Sequence, residues 1–165
     1  MAHSPHEKPG AEPQFRHLDD EDLKVQQVRT QMHPDGQKSV WEKWFTFGSG
    51  DSQYLSMWAR WDPGMVVHRH GHHSPQVMFV LSGDLMCGDV HCPAGTHIEL
   101  PHGAALGPLT AGPEGVELFE VMLGDPASWA ADPDGFDALL AARNITKLPD
   151  PPIELPDNLE DRRHQ

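Results

Sequence analysis

An all-β fold of short antiparallel strands is predicted by three observations. Aromatic- and β-branched-rich runs recur at close spacing from Val40 onward. Turn signals built on Gly, Pro and Asp separate them, and helical spacing is confined to one stretch near the C-terminal end. The 165 residues suffice for one domain with a substantial core, and 16 Pro with 15 Gly suit a chain of many turns.

Taken in order, residues 40–47 and 54–61 read as a hairpin divided by Gly48-Ser49-Gly50-Asp51. Asp62-Pro63-Gly64 is a strong turn. Residues 65–70 and 76–81 read as strands, and Ser82-Gly83-Asp84 turns the chain again. Residues 85–87 and 90–92 form a tight pair around Gly88-Asp89. Pro93-Ala94-Gly95 leads into a strand at 97–100 that Pro101-His102-Gly103 ends. The loop 111–115 precedes a strand at 116–123. Beyond it, Phe136, Leu139, Leu140 and Arg143 fall at helical spacing, with Asp134 as the expected cap. The expected organisation is an N-terminal arm at 1–39, a β-domain at 40–124, and a short helix with a Pro-rich tail at 125–165. That tail is expected to be disordered or laid extended over the barrel.

The net charge of −13 argues against nucleic acid and anionic membrane as partners. No apolar run approaches the roughly 18 residues of a membrane span. The opening MAHSPHEKPG lacks the apolar core of a signal peptide, so a cytoplasmic location is expected. Cys87 and Cys92 are expected to be free thiols, small and buried. The chain has no nucleophile elbow, no phosphate-cradling Gly loop and no Cys-x-x-Cys pair, which leaves triad hydrolysis, nucleotide binding and a zinc ribbon unsupported.

Residues 68–72 read His68-Arg69-His70-Gly71-His72, directly after the strand-like Met65-Val66-Val67. Side chains alternate faces along a strand, so the three histidines are expected on one face with Arg69 on the other. Imidazole is the commonest protein metal ligand. Same-face neighbours on a strand stand ~6.6 Å apart and the outer pair ~13 Å, against metal–nitrogen bonds of about 2.0–2.1 Å for zinc. Two adjacent histidines can therefore converge on an ion. The strand alone leaves His68/His70 and His70/His72 open.

This region resembles the first motif of the cupin superfamily: a Gly, five residues, His-x-His, three or four residues, Glu, six residues, Gly. Gly64, His70, His72, Gln76 and Gly83 stand at those spacings, and Phe79-Val80-Leu81-Ser82-Gly83 resembles the strand and turn that close the motif. The resemblance covers about residues 40–123. It implies a cupin-type antiparallel β-barrel (double-stranded β-helix or jelly roll) and selects His70 and His72 as the metal pair. Two positions depart from the pattern. Gln76 replaces the usual Glu, keeping an oxygen donor but bringing no charge and no base. In the second motif, Pro93-Ala94-Gly95 and Pro101-His102-Gly103 fit, but Leu106 stands where the last His ligand is expected.

The resemblance implies a metal-dependent oxidoreductase, similar to small cupin dioxygenases such as those acting on diketones and hydroxyacetophenones. A divalent ion, Fe(II) first, with Ni, Cu, Mn or Zn as alternatives, would be held by His70, His72 and Gln76. His68 and His102 are the side chains expected to compensate for Leu106, while His97 is expected to face solvent and His73 and His91 to lie on the surface. The rival reading is a small-molecule-binding cupin that has lost its metal chemistry, as Leu106 and Gln76 would suit. A homodimer is expected, with the aromatic hairpin and the Pro-rich tail as contacts.

Overall fold

In the computed structural model, which describes residues 12–47, 54–156, 159–161 and 163, strands dominate and one helix follows them. Residues 1–11 of the expected arm and the Gly48-Ser49-Gly50-Asp51 turn lie outside the described residues. The sheet begins earlier than the sequence pattern suggests. Strand β1 spans Gln26–His33 and β2 spans Gly36–Phe47, so part of the expected arm is sheet. β1 reads QQVRTQMH, too polar to stand out as a strand, yet Val28, Thr30, Gln31 and His33 are buried.

The remaining strands are β3 Tyr54–Trp61, β4 Val66–Val67, β5 His70–His72, β6 Gln76–Cys87, β7 Val90–Pro93, β8 His97–Leu100, β9 Leu109–Met122, β10 Ser128–Ala130 and β11 Thr146–Lys147. The large sheet runs β11-β1-β2-β3-β9-β6-β7, with β4 paired to β9 and β8 paired to β6; β5 and β10 form a separate pair. All of these pairings are antiparallel. Among the described strands, hydrogen bonds do not close this order into a ring. The expected jelly-roll architecture is thus met by an antiparallel sheet that does not close into a barrel. Its main core cluster draws on Val28, Val40, Trp61, Val67, Val80, Cys92, Leu100 and Leu118, one or more from each of β1, β2, β3, β4, β6, β7, β8 and β9.

The strand expected at 65–70 breaks at His68 and Arg69, which separate β4 from β5. β4 pairs with the start of β9, whereas β5 turns to meet β10, so the chain changes partners at that point. In β1 the register shifts between Gln27 and Arg29, a bulge that sets Arg29 opposite Val40.

Helix α1 spans Pro133–Ala142. Its cap is Asp132, not the expected Asp134: the Asp132 side chain accepts from the Gly135 N–H, Pro133 opens the first turn, and Asp134 lies within it. Phe136 and Leu140 pack with Val66 and Ile145 in a second cluster. The described part of the tail lies extended along β1: the Leu148 N–H donates to the Thr30 carbonyl (3.1 Å) and Ile153 packs on the main core.

Gly83, the last residue of the motif, has φ +69°, and an added Cβ would fall on the Gly115 carbonyl oxygen. Gly95 also has positive φ (+90°), but its surroundings are open. Gly83→Ala is expected to destabilise the fold by more than about 2 kcal/mol, and Gly95→Ala by about 1–2 kcal/mol. Denaturant unfolding of the two variants beside the wild type measures the difference.

Candidate functional site

β5 carries the two central histidines. Gly71 between them sits against the Ala104 carbonyl and the Trp129 indole, where any Cβ would collide. The strand can therefore press against β10 while both imidazoles turn the other way, into a cavity of about 170 Å³. His70 Nδ1 lies 2.8 Å from the His68 carbonyl, and His72 Nδ1 lies 2.7 Å from the Pro126 carbonyl. A carbonyl only accepts, so each Nδ1 carries the proton and each Nε2 keeps its lone pair. The rings lie 5.2 Å apart, near perpendicular.

The register across β2, β3, β9 and β6 builds the opposite wall. Trp44, Met57, Glu120 and Met78 stand in one cross-strand row. The next row contains Leu55, Met122 and Gln76. Gln76 is 2% exposed, and its Nε2 donates to Glu120 Oε2 at 2.6 Å, while its Oε1 is buried with no partner. Glu120 is 6% exposed, and burial, reinforced by the nearby Glu42 charge, pushes its pKa up to about 8. Glu42 accepts from Trp44 Nε1 at 2.7 Å, and burial raises its pKa as well.

Burial lowers all three histidine pKa values, to about 4 for His68 and about 3 for His70, with neighbouring positive charge adding to the effect. Neutral imidazole is the form that ligates metal. Two Nε2 lone pairs beside the cavity and the unsatisfied Gln76 Oε1 are neutral donors of kinds that suit a divalent ion. Among the described residues, no three His, Cys, Asp or Glu side chains group closely enough to hold one.

Of the expected ligands, His70 and His72 share the cavity, and Gln76 reaches its wall through Glu120. The His68 ring is 4.9 Å from that of His70 but faces Phe136 in an outer hollow of about 440 Å³. The break after β4 is what turns it away. His102 is exposed in its turn and does not line the cavity. Leu106 exchanges backbone hydrogen bonds with His70 (2.9 and 3.0 Å), and its side chain is buried in the main core. His97 and Glu99 are exposed, His91 is exposed and bonded to Asp84, and Cys92 is buried. Sequence reasoning missed Glu120, Glu42 and Arg29. The alternation Val116, Leu118, Glu120, Met122 on the buried face of β9 carried the signal for the first of these.

In the metal-free protein these groups set opposite pH slopes. The buried histidines, His33 included, have folded values below 6.5; they stabilise fully above that pH and lose their contribution as it falls. Glu120 and Glu42 are raised, so theirs is complete below about 4.5 and is lost as pH rises, for Glu120 through about 8. Thermal unfolding should therefore show greatest stability near pH 6.5, the unperturbed histidine value. Glu120→Gln should flatten the decline on the alkaline side.

No family model and no curated protein matches this chain. Solved structures do. A candidate acetylacetone dioxygenase from Methylibium petroleiphilum PM1 aligns over 82% of this chain and 96% of its own, at TM-score 0.55 and 14% identity. An RmlC-like cupin from Ralstonia eutropha JMP134 aligns over 82% of this chain and 92% of its own, at TM-score 0.50 and 15% identity. At such identities the likeness bears on architecture, and it agrees with the antiparallel strand order and the spacing from Gly64 to Gly83: this chain has the cupin fold.

Proposed function

We propose that this protein is a metal-dependent oxidoreductase, dioxygenase-like, acting on a small organic substrate in the cavity beside His70 and His72. The observation that carries the reading is the preparation of the two imidazoles. Each is neutral, each is fixed by an Nδ1–H to a carbonyl, and each has an unengaged Nε2. His70 Nε2, His72 Nε2 and Gln76 Oε1 would hold a divalent ion, Fe(II) first. Bound there, the ion would supply Lewis-acid and redox chemistry at its open positions. The likeness in fold to a candidate acetylacetone dioxygenase supports the dioxygenase class.

The chain's own residues supply the rest. Met57, Met78, Leu109 and Met122 make an apolar wall that keeps water from the reacting groups. Glu120 holds a proton on its carboxyl group at neutral pH and lines the cavity, so it is the group available to give or take a proton. Gln76 orients it through the Nε2 hydrogen bond.

Metal analysis of protein purified without added metal tests the reading, with about one divalent ion per chain expected. His70→Ala and His72→Ala should each abolish that content, because a neutral set of three donors has none to spare. Gln76→Glu should raise affinity by adding a charged oxygen, while lowering the melting temperature of the metal-free protein by placing a second acid against Glu120. Leu106 is tied to His70 through backbone hydrogen bonds, so Leu106→His should bring a further imidazole close to the pair and tighten the metal. A wild type that holds no divalent ion, beside a Leu106→His variant that does, would favour the non-catalytic binding cupin instead.

A further inference from the structure

We propose that Arg29 anchors the acidic group of a small monocarboxylate whose apolar body fills the cavity beside His70 and His72. The proposal rests on reading that cavity as a ligand site, but not on which ion it holds. Consecutive strand residues ordinarily face opposite sides. The bulge in β1 breaks that alternation, and Val28 and Arg29 both line the cavity. Arg29 stands opposite Val40, and Val40 opposite Trp61. Two strand spacings set the Arg29 and Trp61 backbones about 10 Å apart on one face, flanking Val40. Trp61 is 5% exposed, and its Nε1 is buried without a partner. This side of the cavity therefore offers a guanidinium and an indole N–H, both donors without acceptor capacity.

Arg29 is half-buried and makes no hydrogen bond or ion pair with any described residue, although its charge reaches Glu42 on the same wall. The other charged groups on the wall are engaged. Arg163 donates to Asp161 and to the Val28 carbonyl. Glu42 accepts from Trp44, Glu120 accepts from Gln76, and Glu160 is not free. A planar guanidinium matches a carboxylate in bidentate geometry, and the match strengthens as water is excluded. The charge of Arg29 also reaches the site, since it lowers the basicity of His68, His70 and His72. Arg29 borders the outer hollow as well, which gives an anion a path inward. A cavity of about 150 Å³ holds benzene, so at about 170 Å³ the ligand is about one ring, or a branched chain of similar bulk.

Benzoate and isovalerate, each paired with its neutral amide, test the proposal. They are titrated into the full-length protein and followed by calorimetry and by fluorescence of the cavity residues Trp44 and Trp61, with metal content measured on the same samples. At least one acid should bind about tenfold or more tighter than its amide. Arg29→Gln should erase that preference at unchanged metal content, Arg29→Lys should keep part of it, and Arg60→Gln, a control away from the cavity, should leave it intact. Absence of an acid preference in the wild type, or its survival in Arg29→Gln, overturns the proposal even where the metal is present. A preference that depends on Arg29 in protein without metal upholds it while the metal reading falls.

Discussion

The cavity depends on β9, a strand hydrogen-bonded along both edges. Over 116–122 it lies between β3 and β6, and near 109–111 it pairs with β4 and the far end of β6. A strand without a free edge has its register fixed from both sides. Glu120 consequently cannot slip to the outer face without carrying Val116, Leu118 and Met122 with it, and these are buried to 3% exposure or less. The hydrophobic energy of those neighbours holds a carboxyl group where it would not go alone, and the same burial keeps its proton on.

Some of the buried polar groups left incomplete lie at or beside this place, while Trp41 Nε1 and Ser74 Oγ lie elsewhere. Gln76 Oε1 and Trp61 Nε1 lack partners, and Arg29 makes no hydrogen bond there, its charge being felt by Glu42. Each unsatisfied buried group costs about 1–3 kcal/mol. Pure packing would favour an apolar residue at any of these positions, and Met57, Met78 and Met122 occupy equivalent ones nearby. Two lone-pair nitrogens, an indole N–H and a guanidinium around one hollow are the complement of something that donates to some and accepts from others.

Much of this was legible beforehand because it follows from local rules. The turns at Gly64 and Gly95 have the positive φ they need, whereas Gly83, expected in a turn, lies inside β6 with positive φ where its register to β9 shifts. Strands β2, β3, β6 and the end of β9 carry aromatic or β-branched residues in alternation, although residues 111–115, expected as a loop, belong to β9, and the His-x-His spacing singled out a pair that does share the cavity. The rest was hidden for physical reasons. β1 is polar by composition and becomes a strand through its pairing with β2 and β11, which no local pattern reports. Its bulge, which re-aims Arg29, follows from register, not propensity. The break at His68 depends on β4 and β5 having different partners. The cap moved from Asp134 to Asp132 because Pro133 suits the first helical position.

Charge balance ties the departures from the cupin pattern together. The pattern's Glu would offset part of a dication's charge, and Gln76 offsets none. Glu120, the nearest acid, keeps its proton at neutral pH. Arg29 adds a positive charge close enough to depress every imidazole in the site. A site of this composition offers a cation little negative charge, Glu42 being the wall group whose charge reaches Glu120. An anion beside a cation would offset that charge, in a medium where both are weakly screened. Gln76 in place of the pattern's Glu and Arg29 on the cavity wall therefore act in the same direction, each leaving the site more positive than the pattern would.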